Sequence, residues 1–194
     1  MKFCSHCGHP VDFRIPAGDH LPRHICPQCE TVHYENPKVI VGCIPEWEDR
    51  ILICRRNIEP RFGLWTFPAG FLELGETSGE GAARETKEES QADVEIGELF
   101  VVINVPYVSQ IYMVHRGRMK SAHHGPTPES SETRLVREDE IPWDMIAFPT
   151  IYHSLKFFFS DRRDGRTGVH SMDLTVRASR TQERDEIIGA PGSL

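Results

Sequence analysis

Gly70-Phe71-Leu72-Glu73-Leu74-Gly75-Glu76, running on through Arg84-Glu85-Thr86-Lys87-Glu88-Glu89-Ser90, is the stretch around which the rest of the chain is organised. The spacing predicts a helix over Ser78 to Ser90. At roughly 100° per residue, Glu85, Glu88 and Glu89 fall within one arc of about 100°, while Gly79, Ala82, Ala83 and Thr86 line the neighbouring arc. One stripe packs and the adjacent one is free to bind. Three carboxylates at i, i+3 and i+4 repel one another by roughly a few tenths of a kcal/mol per pair, and a divalent cation reverses that sign. All-oxygen ligands select a hard ion, Mg²⁺ or Mn²⁺, of the kind usually shared with substrate phosphates. A solvated acidic face would account for the charges alone, but not for Gly70, Glu76 and Arg84.

The stretch resembles the Nudix box, G-x5-E-x7-R-E-U-x-E-E-x-G-U with U a bulky aliphatic residue. Gly70, Glu76, Arg84, Glu85, Glu88 and Glu89 match it in register. Two positions depart: Thr86 stands where the pattern has an aliphatic residue, and Gln91 replaces the glycine after the helix. Glycine takes a left-handed cap freely whereas glutamine costs about 1 kcal/mol or more, so the helix end or the next loop is expected to be shaped differently. The resemblance implies an α/β (α+β) fold, the Nudix α/β/α sandwich with a mixed sheet. It also implies that Glu85, Glu88 and Glu89 hold the ions, with Glu88 or Glu89 also a base. Arg84 would pair with Glu76 to brace the loop, and Gly70 would permit a tight turn.

Upstream, Cys4-Ser5-His6-Cys7 and Cys26-Pro27-Gln28-Cys29 are two C-x2-C pairs separated by eighteen residues. That spacing reads as a tetrahedral zinc site. Two disulfides are the alternative. The adjacent pairs, the further cysteines Cys43 and Cys54, and a start, Met1-Lys2-Phe3-Cys4, without a signal-peptide apolar region favour a reducing compartment and a metal. Four thiolates leave no open coordination position, so the zinc folds a segment too short to build its own core. The segment resembles a zinc ribbon, with His6, His20 and His24 nearby as competing ligands. The expected organisation is a ribbon over 1–36, a Nudix domain over 37–160, and a disordered or loosely docked tail over 161–194.

Between ribbon and box, Val39 to Ile44 and Ile51 to Cys54 are short β-branched runs flanking Pro45-Glu46-Trp47-Glu48-Asp49, which reads as a hairpin. Cys43 and Cys54 are then core strand residues. Arg55 and Arg56 follow; guanidinium recognises phosphate bidentately, and exposed salt-bridging is the equal alternative. Downstream, Val94 to Val105 and Ser109 to Val114 read as paired strands and Glu132 to Val136 as another. Phe148 to Phe159 carries apolar residues at helical spacing. Glu129 and Glu132 lie at a loop-to-strand junction; in Nudix relatives a glutamate from this region approaches the metals, which makes Glu132 a candidate to support the metal ligands or act as a base, with a surface role as the alternative. Phe62, Trp65, Tyr107 and Tyr112 are the aromatic residues nearest the box that stack substrate rings or else fill the core.

The formal charge of −7 argues against general nucleic-acid or anionic-membrane binding, because no basic stripe is supplied. No apolar run approaches the ~20 residues needed to span a bilayer. A cytoplasmic protein and, as the family default, a homodimer are expected. The resemblance over roughly Phe3 to Phe159 implies Mg²⁺-dependent hydrolysis of a dinucleotide pyrophosphate, and within it the zinc-ribbon enzymes similar to the plant chloroplast FAD and ADP-ribose pyrophosphatases. An NADH pyrophosphatase is the first alternative. That group carries Ser-Gln-Pro-Trp-Pro-Phe-Pro where this chain has Ser109-Gln110-Ile111-Tyr112. A non-catalytic nucleotide-binding regulator is the alternative of a different class.

Overall fold

The structure, a computed structural model, describes residues 1–175. The chain divides into two compact units, Met1–Pro37 and Lys38 onward.

The first unit is a three-stranded antiparallel sheet of β1 (Asp12–Arg14), β2 (Arg23–Ile25) and β3 (Val32–His33). Its apolar content is too small for a core of its own, and Cys4, Ile25 and Cys26 are its buried hydrophobic positions. Each C-x2-C pair closes the same kind of knuckle. The Cys4 N–H donates to His9 O at 2.7 Å and the Gly8 N–H to Cys4 O at 2.9 Å; the Cys26 N–H donates to Thr31 O at 3.0 Å and the Glu30 N–H to Cys26 O at 2.9 Å. Gly8 and Glu30, the residues following the second cysteine of each pair, are both left-handed, with φ of 76° and 57°. Glycine is at ease there and glutamate is not, so the second knuckle is the strained copy.

The second unit is built on β4 (Lys38–Trp47), β5 (Arg50–Arg56), β6 (Trp65–Thr66), β7 (Ala69–Phe71), α1 (Ser78–Ser90), β8 (Val94–Val105), β9 (Gln110–Met119), β10 (Ser130–Val136), α2 (Pro149–Asp164) and β11 (His170–Asp173). The main path of the sheet runs β10-β5-β4-β9-β8-β11, with β6 on β5 and β7 on β4. It is mixed: β4 with β9 and β8 with β11 are parallel, the other pairs antiparallel. Helices cover both faces, which is why the centre of β4 reads as a continuous apolar run rather than an alternating one. On one face Ile44, Ile51, Ile53, Phe67 and Phe100 pack with Ile151, Leu155, Phe158 and Phe159 of α2. On the other, Val41 and Cys43 pack with Ala82 of α1. This is the α/β/α sandwich.

Three expectations about boundaries change. The residues Pro45-Glu46-Trp47 belong to β4, since Glu46 pairs with Ile51 and Trp47 with Arg50, leaving a two-residue turn at Glu48-Asp49 with Glu48 at φ 55°. The tail does not begin at Asp161. α2 continues to Asp164 and stops at left-handed Gly165, and β11 then joins the sheet beside β8. Asp161 is 2% exposed and its carboxylate accepts from His170 Nε2 at 2.8 Å, while Asn104 Nδ2 donates to Asp173 Oδ1 at 2.7 Å. The part of the expected tail over 176–194 lies outside the described residues.

The third concerns the end of α1. The helix starts in a capping box, in which Thr77 Oγ1 accepts from the Glu80 N–H and Glu80 Oε2 accepts from the Thr77 N–H. It ends on Gln91, which takes the left-handed conformation itself (φ 61°, ψ 0°) and donates its backbone N–H to Lys87 O. The glutamine thus adopts the backbone that a glycine would, and the helix end keeps its ordinary shape.

Candidate active site

β7 lies against β4, with Gly70 opposite Val41, and delivers the chain to the loop before α1. Gly70 has no left-handed φ and makes no tight turn. Its missing side chain matters because a Cβ there would collide with the Glu85 carboxylate. Arg84 organises the loop. Its Nε donates to Glu76 Oε2 at 3.1 Å and its Nη2 to Glu76 Oε1 at 2.7 Å and to Phe71 O at 3.0 Å. Nη1 reaches Glu85 at 2.7 Å and Glu88 at 3.1 Å. Glu76 also accepts the Glu73 N–H at 2.7 Å. The Arg84 fork and that N–H hold the Glu76 carboxyl below its ordinary range.

The three helix carboxylates sit at graded depth. Glu88 is exposed, Glu85 half-buried, and Glu89 only 6% exposed, with Oε2 accepting the Ala69 N–H at 3.0 Å. Burial pushes the Glu89 carboxyl up to about 7; the Ala69 N–H and the Arg56 charge oppose that, and Glu85 and Glu129 add to it. Burial raises Glu85 too, against the pull of Arg84, with Glu88 and Glu129 adding. Carboxylates grouped at one helix face, two of them raised, supply the all-oxygen donors that a hard divalent ion such as Mg²⁺ or Mn²⁺ takes.

At the loop-to-strand junction the two acids, Glu129 and Glu132, have different surroundings. Glu132 is tied up with Arg134 at 2.6 Å and Arg55 at 3.8 Å. The carboxylate whose charge reaches Glu85 and Glu89 is Glu129. The two arginines also part company, because neighbouring strand residues face opposite sides of the sheet. Arg55 lies on the side of core residue Ile53, donating Nε to Gly63 O at 3.0 Å, whereas Arg56 feels Glu89 and lies 5.2 Å over the Phe148 ring. Arg56 is therefore the arginine on the side of the helix carboxylates, its Nε donating to Pro60 O at 2.9 Å. Trp65, expected as a ring-stacking wall, is 3% exposed in the core with Arg134 4.8 Å over its ring. Tyr107, on the turn between β8 and β9, is 40% exposed and Phe62 is 61% exposed, so both are free to touch a ligand.

In the ribbon, the Cys4, Cys7, Cys26 and Cys29 sulfurs all lie within 4.8 Å of one another, with Cys4–Cys29 at 3.7 Å and Cys7–Cys26 at 3.5 Å. A tetrahedron of thiolates about zinc, with Zn–S near ~2.3 Å, sets its sulfurs about 3.8 Å apart. The four cysteines therefore fit zinc. The Thr31 hydroxyl and N–H pull the Cys29 thiol down, whereas the Cys7 thiol, although the His9 backbone pulls it down, is pushed up by the neighbouring Cys26 and Cys29 sulfurs. The histidine ring beside this set is His33, with Nε2 3.3 Å from Cys4 Sγ; His6 contributes only a backbone N–H at 3.4 Å. His20 and His24 face Asp19 and Glu35.

A two-helix sandwich with an acidic helix face, joined to a four-thiolate ribbon, defines the Nudix fold in its zinc-ribbon form. The Nudix N-terminal zinc-ribbon model matches residues 2–35 and the NUDIX domain model matches residues 36–152. The chain belongs to the Nudix hydrolase family. A NUDIX hydrolase from Nitrosomonas europaea is 52% identical with a TM-score of 0.88, over 91% of this chain and 100% of that one. The NAD-capped RNA hydrolase NudC of Edwardsiella ictaluri is 39% identical over 48% of this chain and 34% of its own length; that of Salmonella heidelberg is 35% identical over 55% and 38%. The chain thus spans little more than a third of the length of these curated relatives. An ADP-ribose pyrophosphatase from Streptococcus suis, 18% identical with a TM-score of 0.56 over 71% of this chain and 99% of that one, shares the fold.

Proposed function

We propose that the chain hydrolyses the pyrophosphate bond of a dinucleotide, with Glu85, Glu88, Glu89 and Glu129 holding the divalent ion. The observation that carries this is the buried Glu89, hydrogen-bonded to the Ala69 N–H and surrounded by Glu85 and Glu129. Mg²⁺ or Mn²⁺ bound there supplies charge neutralisation at the phosphate oxygens and a lowered pKa for an attacking water. Arg84 keeps Glu76, Glu85 and Glu88 in place, Glu88 or Glu89 takes the proton of the water, and Arg56 receives the diphosphate. Water adds to one phosphorus as the bridging P–O bond breaks, so AMP and a second nucleoside or sugar phosphate leave.

A nicotinamide dinucleotide, NADH among them, is the reading favoured by the curated relatives, whose printed name is NAD-capped RNA hydrolase. FAD or ADP-ribose is the second reading, favoured by Ser109-Gln110-Ile111-Tyr112, which lacks the proline-aromatic string of NADH pyrophosphatases. The acidic balance of the chain disfavours a long RNA ligand but not a capped end. Incubation with Mg²⁺ or Mn²⁺ and a panel of NADH, FAD, ADP-ribose, diadenosine polyphosphates and NAD-capped RNA, with products separated by chromatography, tests the proposal. Binding without cleavage across the panel would replace it with the regulator reading. A homodimer and a cytoplasmic setting belong to the same proposal, and light scattering reads the former. No helix among the described residues is long and apolar enough to cross a membrane.

A further inference from the structure

Gln91 does more than end α1. Its side-chain Nε2 donates to Pro126 O at 2.5 Å, in the loop between β9 and β10. That loop is fastened to the end of α1 at two further points, the Gly125 N–H to Ser90 O at 2.8 Å and Thr127 Oγ1 to Glu89 O at 3.4 Å. The approach is close enough that a Cβ at Gly125 would sit 3.2 Å from Gln91 Nε2. Beyond Thr127 the path to Glu129 is short and stiff. Thr127 Oγ1 accepts the Glu129 N–H at 3.3 Å and the Ser130 N–H at 3.1 Å, and the Asn57 N–H donates to Glu129 O at 2.8 Å. Asn57 Nδ2 adds a bond to Pro128 O at 3.0 Å.

We infer that Gln91 is a positioning residue for the metal site, its amide anchoring the 124–128 loop so that Glu129 is presented to Glu85 and Glu89. The inference rests on the proposed function for the identity of the site. It gives a physical reason for a glutamine in a left-handed conformation that glycine would adopt without strain: the side chain supplies a tether that glycine cannot.

The test is Mn²⁺ titration of the full chain, by calorimetry or electron paramagnetic resonance without substrate, on Gln91→Gly, Gln91→Asn, Glu129→Gln and the Gln91→Gly/Glu129→Gln double variant. Gln91→Gly is expected to weaken Mn²⁺ binding roughly 10-fold, with an unchanged or raised melting midpoint, because the backbone is relieved. Gln91→Asn tolerates the left-handed cap but is one methylene short, so it should lose affinity too. In the Glu129→Gln background the glycine substitution should add nothing, which is the signature of one residue acting through the other. Wild-type affinity in Gln91→Gly, no effect of Glu129→Gln, or additive losses would overturn the inference. Absence of any pyrophosphate cleavage by the native chain would instead remove the proposed function, and the Mn²⁺ titration would still decide the role of Gln91.

Discussion

Arg84 holds Glu76 through both carboxylate oxygens, at 3.1 and 2.7 Å, and spends its remaining nitrogen on Glu85 and Glu88. One guanidinium therefore fixes both the loop before α1 and two of its carboxylates. Lysine would keep the charge and lose the fork. Arg84→Lys is expected to lower kcat/KM about 100-fold on whichever dinucleotide is preferred. Steady-state kinetics beside a thermal melt checks this, and an unchanged rate would show that charge alone suffices.

Glu89→Gln retains an oxygen to accept the Ala69 N–H, so the fold should survive while the metal-directed charge is lost. Turnover is expected to fall roughly 100- to 1000-fold, and likewise for Glu88→Gln on the exposed side of the same arc. Rates near wild type for both, with Mg²⁺ present, would remove the helix carboxylates from the chemistry.

The position of Glu89 gives stability a pH dependence of definite sign. Its carboxyl is raised from 4.5 to about 7, so between those values the folded protein keeps a proton that the unfolded chain has released. Stability without added divalent ion should therefore fall as pH rises through that window, by about 1.4 kcal/mol per unit at most from this group. A divalent ion binds the ionised form and offsets the loss, so Mg²⁺ should raise Tm more at pH 7.5 than at pH 5.5. Glu89→Gln should flatten the wild-type slope in melts across pH.

Removal of zinc should be felt in the first unit. Cys26 is fully buried and anchors the second knuckle. Cys26→Ser is expected to abolish the stoichiometric zinc read by elemental analysis and to make residues 1–37 the first site of proteolysis, while the chain from Lys38 onward persists. Zinc content unchanged by the substitution, or two disulfides in the native chain by mass spectrometry, would contradict the four-thiolate site.

The helix Ser78–Ser90 and the box register were legible because the carboxylate spacing, the apolar stripe and the box pattern all point the same way. Nothing in the local sequence separates Glu129 from Glu132. The β5–β10 register shifts between Ser130 and Glu132, so strand alternation cannot be carried across from Glu132 to Glu129. Arg55 and Arg56 were likewise indistinguishable until strand alternation assigned their sides. β11 carries no alternating apolar pattern in His170-Ser171-Met172-Asp173, and its partner β8 is remote in sequence, so nothing local announces it.

That four-residue strand also covers the backbone of β8. At one margin of the sheet β10 carries Glu132 and Arg134, whose charges discourage pairing with another chain. At the other margin β11 lies over the Val101–Asn104 portion of β8, where Val101 and Ile103 are fully buried. A chain shortened just after Gly165 would leave that stretch with unpaired backbone groups and an apolar flank, and aggregation through strand-to-strand association is the outcome to expect in light scattering of such a truncation.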